Sequence, residues 1–584
     1  MKKILYYTLI VLSCFSRFSS AQIIEQPELT ITFPQKSDTF AVDKLRLSGY
    51  TDTSAFVFVN DTPVNLYPQG TFVTRVNLAN YMNQIIIRAE KDGKVNNKIL
   101  SIYRPPRLRE SPISPVHIDS QYMKPAHDIW AYNGDLLTVT FKGSPYGTAS
   151  FHIDGYKKDI PMIELPPEEA RGMRGIYRGT VRLSDLQPHK KLDITLKLKG
   201  KNGKKKTIQT PGELVILPED IPLVGRIKST TYLHAHEASY SPMSRCPPDV
   251  YLHIIGRSHR RYKVSLSETR SAYVNIDDVL LLKPGSPVPR ASIAAPSLSF
   301  DREWIKLTMP IERPLPFVAT HQNESARIQV YIFGAHQASH WITFPNHFES
   351  IEHLVFSHPE ANVFQMDIQL DQDRLWGYKT FYDNDAFHVH IRRPPVIQAT
   401  NPIAGLTFAI DPGHGGKDDG AVAPSGLKEK EVNLKWATEL ANILKNNGAN
   451  VILTRQSDTT MTLAQRLDKA EKANARFFMS LHNNATTASG NPVRARGTSV
   501  YYNLPQNKEF SWAIYPHMVD LGLAPYGRIH NVYYVTNTTD FLVALVEGAF
   551  MSHPVEEWKL RDEAFVKKMA RAVYNGLLDF LRQQ

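Results

Sequence analysis

The sequence predicts a multidomain protein: several N-terminal β-rich modules, immunoglobulin-like or small-barrel in kind, followed by a C-terminal α/β domain. Three observations carry this. The chain has 584 residues, too many for one hydrophobic core. As far as about residue 395, apolar residues come in short alternating runs between turn residues, the pattern of half-buried strands. After residue 404 the texture changes, and apolar strands alternate with helical periods, as in a sheet covered by helices.

The first residues give a leader. Lys2-Lys3, an apolar run from Ile4 to Phe15 and the small residues Ser19-Ser20-Ala21 read as a signal peptide over 1–21. The protein is therefore expected to be exported, to the periplasm or the cell envelope. Cys14 after Val11-Leu12-Ser13 makes a poor lipoprotein box, so no lipid anchor is expected there. Cleavage leaves Cys246 as the sole cysteine, so no intrachain disulfide is expected and stability must come from cores. The formal charge of +11 and a pI near 9.2 favour acidic partners. For an exported protein this argues against nucleic acid and for an anionic wall polymer.

Residues 26–104 carry short strands such as Ala55–Val59, Gly70–Val76 and Asn83–Ala89, with turns at Asn60-Asp61 and Asp92-Gly93. Their order resembles small immunoglobulin-like sandwiches of bacterial exported proteins. The Pro-rich stretch from Pro105 to Pro125 reads as a linker. A β-rich module follows over 126–220, with Asn133-Gly134 and Asn202-Gly203 as hairpin signals. Lysines 197, 199, 201 and 204–206 around the second hairpin read as a solvated edge. Residues 222–283 resemble the bacterial Src-homology-3-like wall-binding barrels. His234-Ala235-His236-Glu237 lacks a further ligand at a sensible spacing and reads as a strand or loop rather than a metal site. Pro284 to Pro296 reads as a second linker, and 299–395 as a fourth β-rich unit. Within that unit His388 and His390 share one strand face.

The α/β domain spans 404–584. Its predicted elements are strand Leu406–Asp411, helix 429–446, strand Asn450–Thr454, helix 461–474 and strand Phe477–His482. Strand Thr498–Tyr502, helix 507–521, strand Asn531–Val535, strand Leu542–Glu547 and helix 557–582 complete it. Potential ligands fall at strand ends or the loops after them, where open α/β sheets place their sites. His414 lies in a Gly-rich loop after the first strand, Glu429 opens the first helix, His482 closes a strand and Glu547 ends another. Two imidazoles and a carboxylate make a catalytic zinc set with a position left for water. A further carboxylate can take that water's proton and pass one to a leaving amine. Burial of Glu547 at the end of an apolar strand is expected to raise its pKa. On spacing alone Glu429 or Glu431 would serve as the ligand. Residues two apart on a helix face different ways, so only one of them can point at the metal.

The ordered motifs carry a resemblance. Asp411-Pro412-Gly413-His414-Gly415-Gly416, Gly420-Ala421, Glu429–Leu434, Leu453-Thr454-Arg455 with Asp458, Leu463 and Arg466, Ser480–Asn484 and Leu545–Phe550 occur in order. Over 405–584 the chain resembles the zinc-dependent N-acetylmuramoyl-L-alanine amidases of the type-3 family. That resemblance implies Zn2+ as cofactor, held by His414, Glu429 and His482, with Glu547 as the catalytic carboxylate and Asn484 as a substrate-contact candidate. It implies peptidoglycan as substrate, cut at the amide between the lactyl group of N-acetylmuramic acid and L-alanine. Residues 299–395 faintly resemble the β-rich domain that localises envelope amidases, so envelope proteins are possible partners of the β-rich modules.

Three positions depart from the family pattern: Arg476 where aspartate is usual, Leu542 where proline is usual, and His553 where asparagine is usual. Some relatives carry an inserted helix that blocks the zinc. Here the 65 positions from His482 to Glu547 are filled by predicted strands, one helix and loops, which leaves no room for it. A metal-dependent peptidase or deacetylase would share this site but need a different pocket. A wall-binding scaffold with an idle amidase fold would have no reason to keep all four core residues.

Overall fold

The computed structural model describes residues 26–105, 111–170, 172–188, 190–337, 350–383 and 385–584. The leader and Cys14 lie outside the described residues. Cys246 is buried and free. No helix among the described residues is long and apolar enough to cross a membrane.

The N-terminal two thirds is a β-rich region of several sheets. A three-stranded sheet (Leu29–Phe33, Lys44–Thr51, Thr71–Asn77) and a four-stranded one (Phe56–Val59, Thr62–Val64, Tyr81–Lys91, Lys94–Arg104) enclose Leu45, Leu47, Val57, Phe72 and Ile87. Next comes a seven-stranded sheet bounded by Ile118–Lys124 and Lys205–Gln209. The Lys-rich hairpin supplies that edge strand, where lysines discourage pairing with another chain. Strands between Leu223 and Leu281 form a nearly closed barrel around Leu252, Ile254, Val264 and Val274. Two further four-stranded sheets, between Ser297 and Arg392, share one core. Both predicted linkers hold a strand: Ile118–Lys124 pairs with Leu136–Gly143, and Ala291–Ile293 with Ala335–Gln337. Their prolines mask short runs whose partners lie further along the chain.

The C-terminal domain is built on a six-stranded sheet. Its elements are β1 (Thr407–Pro412), α1 (Glu429–Asn446), β2 (Asn450–Leu453), α2 (Leu463–Lys472), β3 (Phe477–Asn484), β4 (Thr498–Tyr502), α3 (Lys508–Val519), β5 (Pro525–His530), β6 (Leu542–Phe550), α4 (Pro554–Arg561) and α5 (Glu563–Arg582). The order across the sheet is β2-β1-β3-β6-β4-β5; β2, β1, β3 and β6 are parallel, and β4 runs antiparallel to β6. Alternation along each strand feeds two cores. Phe408, Phe477, Met479, Leu542 and Val546 pack toward α1, α3 and α5; Ala409, Phe478, Val543 and Leu545 pack on the other face with Leu467 and Ala470 of α2.

Two expected elements are corrected here. Residues 531–535 form a turn, and the strand lies just before it at Pro525–His530. That strand is a largely exposed sheet edge, so its sequence lacks an apolar signal, whereas Val535 is apolar because it fills the second core. The last helix is two helices. Asp562 accepts from the Ala564 amide and caps α5. His553 Nδ1 accepts from the Val555 and Glu556 amides and caps α4, ahead of Pro554 at its first position. Histidine thus performs here the capping that an asparagine side chain would give, which accounts for that departure.

The β-rich region and the α/β domain are packed together. Trp376 reaches into the larger α/β core, edge-to-face on Phe477 and Phe580 with centroids 6.4 and 6.0 Å away. Arg392 donates to the carbonyls of Asp540 and Ala475, each at 2.8 Å. Arg476, the second departure, donates to the Arg393 carbonyl at 2.9 Å, so the unusual arginine serves the interface. The first sandwich returns to the other end of the domain. The Arg46 amide donates to the Ala488 carbonyl (2.7 Å), Thr32 Oγ1 to the Pro424 carbonyl (3.3 Å), and Gln69 Nε2 to the Pro554 carbonyl (2.9 Å).

Beside this contact, Glu557 of α4 is fully buried; its Oε2 accepts from Ser425 Oγ and its Oε1 has no partner. Burial pushes the carboxyl up to about 7, although Ser425 and Arg561 pull the other way. An unfolded glutamate ionises near 4.3, so the folded state favours the neutral acid. The stability it allows is full below about pH 4 and falls as pH rises to 7, by at most about 4 kcal/mol. Glu557→Gln is therefore expected to melt higher than the parent at pH 8 and level with it near pH 4.5, as paired thermal unfolding will read.

Candidate active site

The site lies at the carboxyl end of β1, β3 and β6. In β3 the residues 477, 479 and 481 turn toward α1 and α5, so alternation sends Ser480 and His482 to the α2 side. In β6 the same rule sends Val543, Leu545 and Glu547 to that side. His482 and Glu547 are direct partners across the parallel β3–β6 pair. The ladder is irregular immediately afterwards, between His482 and Asn484, as is frequent beside active sites.

The third residue arrives on a loop. His414 sits in the left-handed region (φ 61°) between Gly413 and Gly415. A Cβ on Gly413 would fall 2.1 Å from the His482 ring, and one on Gly420 2.6 Å from Glu429 Oε2. Both positions need glycine because the side chains of the site pass where a methyl would stand. Glu429 opens α1 and is buried; Glu431, two residues on, is not part of the cluster.

Ligand atoms of His414, Glu429 and His482 lie within 4.8 Å of one another. His414 Nε2 is 3.2 Å from Glu429 Oε2, His482 Nδ1 is 3.1 Å from Glu429 Oε1, and the imidazole centroids are 4.8 Å apart. His414 turns Nδ1 to Asp418 Oδ2 at 2.8 Å. Glu429 is held by amide donors: Ala421 N–H on Oε2 at 2.8 Å, and Asn483 N–H and Asn433 Nδ2 on Oε1 at 3.1 and 3.2 Å. Asn483 Nδ2 in turn donates to Asn433 Oδ1 at 2.9 Å.

The electrostatics suit a cation. Burial alone would depress His414, but Glu429 and Asp418 outweigh it and lift its imidazole to about 9. His482 is raised for the same reason by Glu429, against its own burial. Glu429, which burial alone would raise, is held well below the ordinary carboxylate range by the two imidazoles. A pocket that retains protons on histidines this strongly offers a metal ion the same favourable field, and the metal would displace those protons. The nitrogen, nitrogen and oxygen donors, with outer partners fixing each, form a set that fits zinc. Across from His482, Glu547 is half-buried, and its Oε2 is shielded from solvent with no hydrogen-bond partner. Burial first, and then Glu429, raise it to about 7, against the pull of His482 and His414.

Residues 408–579 match a family model described as N-acetylmuramoyl-L-alanine amidase. Over 194 residues the chain is 34% identical to the protein YqiI of Bacillus subtilis (strain 168), covering 32% of this chain and 91% of that one. The chain belongs to the N-acetylmuramoyl-L-alanine amidase family. It is also 34% identical over 190 residues to the N-acetylmuramoyl-L-alanine amidase LytC of Bacillus subtilis (strain 168), covering 32% of this chain and spanning 37% of LytC. Among solved structures, the amidase AmiC2 of Nostoc punctiforme is 31% identical over 31% of this chain and 99% of its own, with a TM-score of 0.29.

All four core positions of the amidase motif set meet at one end of the sheet. Asn484 ends β3, with its Oδ1 accepting from the Ala485 amide and its carbonyl from the Met551 amide. The sole α-helix between His482 and Glu547, α3, packs on α5 and on β4 and β6. No sequence pattern assigned a role to Asp418, or to Asn483 beyond its place in the Ser480–Asn484 motif. Asn433 carried a signal, since it lies four residues from Glu429 and shares its helix face. Asp418 carried none beyond being an acid in a Gly-rich loop.

Proposed function

We propose that this protein is an exported peptidoglycan amidase. It cleaves the amide between the lactyl group of N-acetylmuramic acid and L-alanine of the stem peptide. His414, Glu429 and His482 hold Zn2+ and Glu547 is the general base. The observation that carries the reading is the meeting of three metal-type donors with a partnerless, shielded carboxylate directly across the sheet from one of them. Zinc bound there supplies a Lewis acid and a water of lowered pKa. Glu547 accepts the proton of the attacking water as its oxygen bonds to the carbonyl carbon. As the carbon–nitrogen bond breaks, Glu547 returns that proton to the departing L-alanine nitrogen. The new lactyl carboxyl group gives up the water's second proton to the released amine, so the products are a lactyl carboxylate on the glycan and an ammonium group on the peptide. Asn484, at the rim, contacts substrate. Asp418 fixes the tautomer and orientation of His414; Asp418→Asn is expected to weaken zinc binding about 10–100-fold in chelator competition.

The division into modules 26–104, 126–220, 222–283 and 299–395, ahead of the catalytic 404–584, belongs to the same reading. Those modules hold the enzyme in the envelope, on the wall or on envelope proteins. The test is digestion of purified peptidoglycan by the full chain, because truncation near residue 400 would strip Trp376 from the catalytic core. New lactyl carboxyl and L-alanine amino ends should appear, vanish with chelator and return with zinc. Cleavage at a peptide bond or at an N-acetyl group instead would overturn the reading.

A further inference from the structure

A large groove lies away from the catalytic cluster. It has a volume of about 840 Å³ and runs between the seven-stranded sheet and the barrel. Its walls are joined by backbone. Strand Ile129–Ala131, which in the chain lies between two strands of the seven-stranded sheet, pairs with barrel strand Tyr251–Ser258, with Trp130 opposite Arg257. A cleft fixed by a strand pair keeps its shape without a ligand, which reduces the ordering cost of binding.

One wall is a sheet face of hydroxyls. Thr138 faces Thr180 and Thr140 faces Arg178 across an antiparallel pair, so all four side chains share a face. The two threonine hydroxyls are 3.1 Å apart. Each hydroxyl can donate and accept, as sugar hydroxyls do. The facing wall is aromatic and cationic. Lys263 and Tyr273 are cross-strand partners, and the Arg257 guanidinium lies 5.7 Å from the Trp130 ring centroid. Arg257 Nη1 lies 3.7 Å from Asp128 Oδ2, while its Nε is buried without a partner. Arg178, Lys263 and Lys124 form no ion pair with any described residue. The two acids of the lining are engaged: Asp135 accepts from the Tyr132 amide, and Glu237 lies 3.9 Å from His259. Lys124, Arg178, Arg257 and Lys263 outnumber these two acids in the lining, so the groove is net positive.

We infer that this groove binds glycan strands from which the stem peptides have been removed. The inference rests on the proposed amidase reaction, because that reaction creates the matching charge. An uncut lactyl group is a neutral amide, whereas each cleavage leaves one carboxylate on the glycan. A stripped strand is a regular chain of hydroxylated rings with repeated carboxylates. The threonine face meets its hydroxyls, Trp130 and Tyr273 meet its ring faces, and Arg178, Arg257 and Lys263 meet its carboxylates. The enzyme would then hold to wall it has already stripped.

The test is fluorescence anisotropy of the full chain with three labelled probes: peptide-free glycan strands with free lactyl carboxylates, the same strands converted to methylamides, and polyglutamate of equal charge. Carboxylate strands should bind. Methylamide formation, or Arg178→Ala with Lys263→Ala, should each weaken binding about tenfold or more. Thr180→Glu, at an exposed position, should weaken it as well and guards against a folding artefact in the double variant. Equal binding of methylamide strands, equal binding of polyglutamate, or binding unchanged in the variants would each overturn the inference. Cleavage of a small soluble muramyl peptide is measured alongside and should be unaffected by these variants. Its absence in the parent would count against the amidase reading, whereas the binding results bear on the groove alone.

Discussion

Glu547→Gln is expected to bind zinc as the parent does and to release stem peptide about 10³-fold more slowly. Three features of the site set this expectation. Glu547 is opposite His482 across the β3–β6 pair but is not one of the three residues whose donor atoms converge. Its Oε2 is shielded and makes no hydrogen bond, so the group is held in readiness for a partner that arrives with substrate. Its surroundings, burial first and then Glu429, raise it to about 7, where a carboxylate both accepts and returns a proton readily. The amide keeps the shape and loses the basicity. Because the parent holds a disfavoured charge there, the metal-free variant should melt no lower than the parent, which separates lost chemistry from lost structure. Metal content, rate and melting temperature measured on one preparation decide it. A variant that cleaves at the parental rate, or that loses zinc, would remove Glu547 from the role assigned to it.

The parts of this molecule legible in the sequence are those written in local periods. Phe408 and Ile410, Phe477 to Leu481, and Leu542 to Val546 announce strands buried on both faces, and their ends mark where His482 and Glu547 fall. The loop around His414 announces itself because close packing against His482 and Glu429 demands glycine at 413 and 420. What stayed hidden is what distance along the chain hides. Ala488, in the loop after β3, packs against the core of a sandwich that begins more than four hundred residues earlier. Nothing near Ala488 or Arg46 in sequence encodes the main-chain bond between them. Trp376 reads as one more strand aromatic of a β module until its ring is seen inside the neighbouring domain's core. The β-rich region therefore does more than carry the catalytic domain. It closes one end of that domain with Trp376 and Arg392, and at the other braces the loop between His414 and Glu429 and the loop after β3.

Within the catalytic domain those loops hang from a buried ion pair, and the second large effect is expected there. Arg466 of α2 meets Asp411 Oδ1 at 2.7 Å, with both side chains under 5% exposed. Asp411 also accepts from Thr454 Oγ1 and from Ser480 Oγ, the latter at 2.8 Å. The guanidinium further donates to the carbonyls of Pro412 and His414, both at 2.7 Å. Arg455 reaches the carbonyls of Pro412, Gly413 and Lys430 from the other side. The left-handed turn that presents His414 is thus held by two arginines that bond its backbone and not the His414 imidazole. Arg466→Met leaves Asp411 buried and unpaired, which should cost about 3–5 kcal/mol. Native-state hydrogen exchange at the amides of β1 and β3 should register it as a fall in protection of roughly 10²–10⁴. Adding Asp411→Leu to that variant removes the stranded charge and should recover much of the loss, because a pair removed together leaves nothing uncompensated. Zinc affinity should not recover with it, since the carbonyls of Pro412 and His414 still lack their donor and the turn stays loose. If the double variant regains both protection and zinc, the pair serves folding alone. If the single variant loses neither, the arginine is not what holds the His414 turn.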